Sequence, residues 1–300
     1  MSQIFNRSLI FACRPRQWVK NLLVFAAPLF TFQFSNADVW FPVLIAFVSF
    51  CLISSSIYLL NDVVDIDADR SHPVKRLRPI AAGKVSIRKA LLTAFLMLVV
   101  SLTMASIISA KLFCLIFTYA LIQVGYCLRL KHEPLLDIFC IASGFLLRAM
   151  AGGVYLSPWF LLTVGLLALF LAVEKRKAEL KISQDGGALT RLVINRYSIP
   201  LLLRLESLLS TAAFMSYALW ASGPTVNGAS TSWMLLTVPF VLVGIFRYQL
   251  LSDPEEAERR KLFYPNRTTE YPEEILLGDR GIRLILLGWI SVTVLVGVFT

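Results

Sequence analysis

The chain has 300 residues, of which 57% are hydrophobic and 16% charged, with a formal net charge of +10. Its mean hydropathy is +0.70. Those values exclude an ordinary soluble domain and fit a polytopic, all-α membrane protein. A transmembrane barrel is excluded as well, because barrel strands alternate polar and apolar residues and these runs do not.

The first twenty residues carry Arg7, Arg14, Arg16 and Lys20 and no acidic residue. Leu22–Phe34 follows as an apolar run without a small-residue cleavage site, so an uncleaved first helix is expected. Trp18 suits an interfacial anchor, and Lys20 and Asn21 are placed to reach a substrate from the bundle interior. Trp40–Leu60 is long enough to span a bilayer and carries no charge.

A polar stretch then organises the chain. Asp62, Asp65, Asp67 and Asp69 fall within eight residues, and Lys75, Arg76 and Arg78 follow directly. If the helix continues, Asn61, Asp65 and Asp69 share one face at i, i+4 and i+8. Carboxylates stacked this way repel one another unless a cation sits between them. Oxygen ligands on a hard divalent ion, with substrate phosphates completing the shell, are the usual magnesium arrangement. Asp62, Asp65 and Asp69 are therefore the candidate Mg²⁺ ligands, with Asn61, Asp65 and Asp69 the candidate catalytic set. The basic run suits phosphates. Its bland explanation is a solvated loop obeying the positive-inside rule, which accounts for the cations but not for four spaced aspartates at a helix end.

Further apolar spans are expected at Leu91–Ala110, Leu112–Leu130, Leu135–Tyr155, Trp159–Val173, Ile199–Ala221, Trp233–Leu251 and Ile282–Thr300, for about nine helices in all. Tyr126, Lys131 and His132 close the fourth span. Arg148 lies inside the fifth, where a charge is costly and should face a polar interior. Glu174 to Glu179 closes the sixth with Lys175, Arg176 and Lys177. Glu273, Glu274 and Asp279 precede the ninth helix, where a cap explains them.

Of the 29 Lys and Arg residues, Lys111 lies on the poorly charged side, and Arg148 and Arg204 lie inside spans. The rest fall on the other side, which places the N-terminus, the acidic block and the long loops in the cytoplasm and the C-terminus outside. Topology thus explains the net charge, and no nucleic-acid partner is expected. The five cysteines show no C-x-x-C spacing, and His72 and His132 show no zinc-ligand spacing. One integral-membrane domain, residues 1–300, is expected. A homo-oligomer is compatible with this reading.

The chain resembles the UbiA superfamily of intramembrane prenyltransferases in helix number, orientation and the N-x-x-x-D-x-x-x-D block at Asn61, Asp65 and Asp69. The resemblance implies a UbiA-like bundle, an active site at the cytoplasmic side of the inner membrane, and Mg²⁺ with a diphosphate at that block. Typical members carry a second D-x-x-x-D after the sixth helix; here Lys175, Arg176 and Glu179 stand instead. The chain is similar in this to the phosphoribosyltransferase branch acting on decaprenyl phosphate. It shares with that branch RPRQWVKN, NDVxDxxADRxHPxKRxRPIAAG, LKHxxxxDI, SGFLLRAxAGG, KRxAEL and PEExLLxDR. That similarity implies transfer of ribose 5-phosphate from phosphoribosyl diphosphate (PRPP) to a polyprenyl phosphate. Lys20, Asn61, Lys75, Arg76, Arg78, Tyr126, Lys131, Arg148, Lys175, Arg176 and Glu179 are then the expected substrate-binding residues.

Two alternatives stay open on the residues alone. An ordinary prenyltransferase would consume a prenyl diphosphate and ignore PRPP. A transporter or lipid-binding protein would show flux or binding without chemical turnover, and would place polar residues through the mid-membrane rather than at one face.

Overall fold

The computed structural model describes residues 2–33, 35–184, 192–253, 256 and 278–300. Every regular element among the described residues is helical. They are α1 (Ser2–Ala12), a 3-10 stretch Pro15–Phe25 running into α2 (Ala26–Phe30), α3 (Ala37–Val64), α4 (Ile66–Ser71), α5 (Ile87–Ile108), α6 (Ala110–Leu128), α7 (Leu136–Met150), α8 (Pro158–Gln184), α9 (Ile199–Ala221), α10 (Val238–Ser252) and α11 (Arg280–Phe299).

Capping residues set five of the described helix starts. Asn36, Ser86, Ser109, Ser198 and Asp279 each accept a backbone N–H of the first helical turn, satisfying donors that a helix start otherwise leaves orphaned. Ser109 alone joins α5 to α6, in an extended conformation with φ −167° and ψ 152°. The Asp279 side chain accepts from the Ile282 N–H at 2.9 Å, so the acidic residue before the last helix is a cap as expected. Glu273 and Glu274 lie outside the described residues.

Seven helical segments among the described residues are long and apolar enough to cross a membrane: α3, α5, α6, α8, α9, α11, and α10 together with the 3-10 stretch Ser232–Thr237 that leads into it. The other two expected spans take different forms. Residues 22–30 of the run expected at Leu22–Phe34 lie on the 3-10 stretch and the five-residue α2, and Phe34 lies outside the described residues. Arg14 turns into the left-handed region (φ 53°) just before that stretch, and Pro15 and Pro28 each remove a backbone donor. The span expected at Leu135–Tyr155 is α7, 15 residues long. It begins after Leu135 at φ 68° and ends before Gly153 at φ 77°. At about 1.5 Å per residue such a helix falls short of the roughly 30 Å hydrocarbon core.

The chain divides into two compact units, Met1–Pro28 with Phe34–Tyr155, and Leu29–Gln33 with Leu156–Thr300. In the first, α3 packs against α5, α6 and the 3-10 stretch. Small hydroxyl residues allow α3 and α5 to approach closely: Ser56 Oγ donates to the Ala94 carbonyl at 2.7 Å, and Ser101 Oγ to the Ser49 carbonyl at 2.8 Å. In the second, α8 packs against α9, and α10 against α11. Phe30, Phe160, Trp220 and Trp289 form its aromatic core, with ring centroids 4.7–5.5 Å apart. Trp289 Nε1 donates to Tyr217 Oη at 2.7 Å.

Candidate active site

The acidic block sits where α3 passes into α4. Asp65 interrupts the helix (φ −92°, ψ 12°) without breaking its register. The Asp65 N–H still reaches the Asn61 carbonyl at 2.9 Å, and the Asp69 N–H reaches the Asp65 carbonyl at 2.8 Å. The i, i+4, i+8 spacing of Asn61, Asp65 and Asp69 therefore survives in the backbone. Asp67 points to solvent, its side chain 93% exposed, whereas the Asp62 and Asp69 side chains are 2% and 4% exposed.

The buried carboxylates are held by cations from distant parts of the first unit. Arg14 Nη2 donates to Asp62 Oδ1 at 2.5 Å, and its guanidinium lies 5.0 Å from the Tyr58 ring centroid. Arg78 Nη1 bridges two aspartates, 3.2 Å from Asp62 Oδ1 and 2.7 Å from Asp69 Oδ2. Lys131, itself buried, donates to Asp65 Oδ1 at 2.5 Å. Three of the expected site residues, Asp65, Asp69 and Asp62, are thus each paired with a basic side chain, two of which (Arg78 and Lys131) were expected as well. Arg14 was read only as part of a basic N-terminus. No local pattern pointed it at Asp62, 48 residues away.

The remaining basic residues of the loop differ in exposure. Arg76 is exposed and Lys75 half-buried. His72 accepts from the backbone N–H groups of Val74 and Lys75 through Nδ1, at 3.2 and 3.3 Å. Burial, with help from the Lys75 and Arg78 charges and against the pull of Asp69, lowers its pKa below the ordinary histidine value. Lys20 and Tyr126 are half-buried.

Arg148, expected among the substrate-binding residues, has protein partners of its own. Its guanidinium is committed inside the first unit: Nε donates to Asn21 Oδ1 at 2.7 Å, Nη1 to the Gly144 carbonyl at 2.7 Å, and Nη2 to Tyr119 Oη at 3.0 Å. Rings of Phe50, Tyr119 and Phe145 lie within 5.9 Å of it. An arginine inside a membrane helix does need a polar partner, and here the partner is the 3-10 stretch carrying Asn21, which is fully buried. The residue ties α7 to that stretch.

The second unit holds the other charged cluster, on the C-terminal part of α8. The Arg176 side chain is 1% exposed and pairs with Glu179 one turn on. Lys175 is half-buried. Lys177 Nζ donates to Glu174 Oε1 at 2.8 Å and to the Glu206 carboxylate on α9. Gln249 Nε2 on α10 donates to Glu206 Oε1 at 3.1 Å. Glu206 was missed in the sequence, although an acidic residue inside an apolar span is itself a signal.

Among the described residues no three His, Cys, Asp or Glu side chains form a metal-holding group. Magnesium asks for less, since it is commonly held by one or two carboxylates with water and substrate phosphates completing its shell. Asp65 and Asp69, one helical turn apart, are carboxylates of that kind, with Lys131 and Arg78 on one oxygen of each.

Seven membrane-length helices among the described residues define a multi-pass, helical membrane protein, and each of its two units holds a cluster of paired carboxylates and cations. The family model of the UbiA prenyltransferase family matches residues 22–268, and the chain belongs to that family. It is 42% identical over 299 residues to a decaprenyl-phosphate phosphoribosyltransferase of Mycolicibacterium smegmatis, covering 94% of this chain and 90% of that one. A protein of the same name from Corynebacterium glutamicum is 38% identical over 296 residues, covering 94% and 84%. A UbiA homologue from Archaeoglobus fulgidus, solved with GPP and Mg²⁺ bound, superposes with a TM-score of 0.67 at 19% identity, covering 96% of this chain and 99% of that one. That likeness carries the fold.

Proposed function

We propose that the protein transfers the 5-phosphoribosyl group of PRPP to a polyprenyl phosphate of decaprenyl type and releases diphosphate. The observation that carries this reading is the 42% identity, across nearly the full length of both chains, to a decaprenyl-phosphate phosphoribosyltransferase. The buried Arg176–Glu179 pair, standing where ordinary family members carry a second aspartate motif, supports it.

In this reading Asp65 and Asp69 hold Mg²⁺, with Asn61 and Asp62 beside them. When bound there, the ion supplies charge that neutralises the leaving diphosphate. Lys75, Arg76 and Arg78 take donor phosphates, and Lys131, Lys20 and Tyr126 support the same site. Lys175 and Arg176 take phosphate oxygens of the donor or of the lipid, and Glu179 takes a ribose hydroxyl or orients a cation. Arginine grips phosphate with two parallel hydrogen bonds, which lysine cannot do.

The ribose C1–O bond to diphosphate breaks with its electron pair leaving on the diphosphate. C1 gains oxocarbenium character, and an oxygen of the lipid phosphate forms the new C1–O bond. A phosphate monoester has a second pKa of about 6, so the acceptor is already ionised near neutral pH and needs no general base. The protein's work is positioning and charge stabilisation. The charged helix ends face the cytoplasm, where the water-soluble donor is found, and the lipid tail enters the bundle laterally from the inner membrane. The N-terminus lies in the cytoplasm and the C-terminus outside.

Detergent-purified protein incubated with Mg²⁺, a polyprenyl phosphate and either PRPP or a prenyl diphosphate tests the reading. A phosphoribosylated lipid formed from PRPP alone is the expected product. Consumption of the prenyl diphosphate with PRPP untouched would return the chain to ordinary prenyl transfer.

A further inference from the structure

The C-terminal part of α8 carries two sets of charged side chains. At about 100° per residue, Glu174 and Lys177 share one face of the helix. Lys175, Arg176 and Glu179 centre on the opposite face. The two sets keep different company. Arg176 pairs with Glu179 on its own helix. Lys177 ties Glu174 to Glu206 on α9, and Gln249 on α10 takes the other oxygen of Glu206. The side chains of Glu174, Lys177 and Glu206 are 1%, 7% and 10% exposed. Four polar residues from three consecutive apolar helices thus meet inside the second unit.

Adhesion between helices is a poor reason for such a cluster. Buried ion pairs are frequently no more stabilising than apolar residues of the same volume. The α8–α9 pair also has other contacts: Thr163 and Ser216 meet at 2.9 Å. Ionic hydrogen bonds add direction. An ammonium held by carboxylates on two helices fixes how far α8 can turn about its own axis. A 20° turn would carry side-chain atoms about 2 Å sideways at a side-chain radius of roughly 5–6 Å. Displacements near 1 Å can cost about a hundredfold in rate.

We infer that Glu174, Lys177, Glu206 and Gln249 form a clamp that sets the rotation of α8 and so positions Lys175, Arg176 and Glu179. The four are positioning residues, because they act through their neighbours on α8. The inference rests on the reading of that triad as phosphate-binding.

Full-length protein in detergent provides the test, through separate KM values for PRPP and polyprenyl phosphate, kcat, and thermal unfolding. Arg176→Lys first identifies which substrate the triad serves. Lys177→Met and Glu206→Gln should then raise the KM of that same substrate about tenfold or more, leaving the other KM within about twofold. The exchanged pair Lys177→Glu with Glu206→Lys should recover most of the loss. Gln249→Leu removes no charge and keeps the test open if the ionic variants fail to fold; its KM should rise about threefold, since one hydrogen bond is lost. Clamp variants that lower the unfolding temperature or the active fraction while both KM values stay at wild type would make the cluster structural glue and overturn the inference. Arg176→Lys with both KM values unchanged would instead sink the phosphate reading of the triad.

Discussion

Arg78 is the residue whose removal should report most clearly on the acidic block. Its Nη1 lies 2.7 Å from Asp69 Oδ2 and 3.2 Å from Asp62 Oδ1. Arg78→Met keeps most of the side-chain length and deletes the charge. Asp62 retains Arg14 at 2.5 Å, so the cost falls on Asp69, whose side chain is 4% exposed. Stripping the partner from a fully buried pair costs about 3–5 kcal/mol. The Arg78 side chain is 24% exposed, so water screens part of that interaction and about 2–3 kcal/mol is expected. Thermal unfolding in detergent should fall by roughly 5–10 °C if the chain behaves like a domain of 150–250 residues. Asp69→Asn in the same background removes the orphaned charge, so the double variant should regain most of the lost stability. Unfolding temperatures that simply add across the two single variants would show no coupling, and the bridge would then have no energetic content.

Asp65→Asn and Asp69→Asn should each cut turnover by at least about a hundredfold while the protein still purifies as a folded species, and chelating Mg²⁺ should do the same. Full activity in either variant would remove that carboxylate from metal binding. Arg176→Lys keeps the charge but loses the fork, so kcat/KM should fall about ten- to a hundredfold, for a charged hydrogen bond of roughly 1.5–3 kcal/mol. Wild-type kinetics would show that the guanidinium shape is irrelevant. His72 is held neutral, its pKa pushed below the ordinary value of about 6.5. Its contribution to stability is therefore present above that value and is lost as pH falls through the lowered one. His72→Asn keeps an acceptor for the Val74 and Lys75 N–H groups but does not titrate. Its unfolding temperature should rise relative to wild type between pH 7 and pH 5, and parallel curves would contradict the assignment.

The features legible in the sequence were those carried by local spacing. The stripe of Asn61, Asp65 and Asp69 follows from the helical period, and the i+4 backbone bonds preserve it even through the break at Asp65. The cap at Asp279 follows from residue chemistry at a helix start. Partners set by packing were not legible. Lys131 meets Asp65 across 66 residues, and Arg148 meets Asn21 across 127. Such pairings depend on how helices rotate against one another, which no local pattern records. Hydropathy placed Arg148 inside a span and implied a polar neighbour, but it could not say whether protein or substrate supplied one. The same averaging read Leu22–Phe34 as a spanning helix, because apolar content outweighed Pro15, Pro28 and the left-handed Arg14. Glu206 was visible as an intramembrane acid. Its meaning required Lys177 and Gln249 on the neighbouring helices.

The chemistry of C1 transfer is tested most directly by following two labels through one turnover. Purified protein would receive Mg²⁺, polyprenyl phosphate and PRPP labelled either in the ribose or in the diphosphate. Transfer of the phosphoribosyl group requires the ribose label to move into the lipid fraction, with one diphosphate released per labelled lipid and no diphosphate label in the lipid. A lipid fraction that stays free of ribose label, or that takes up label from the diphosphate, would contradict the account.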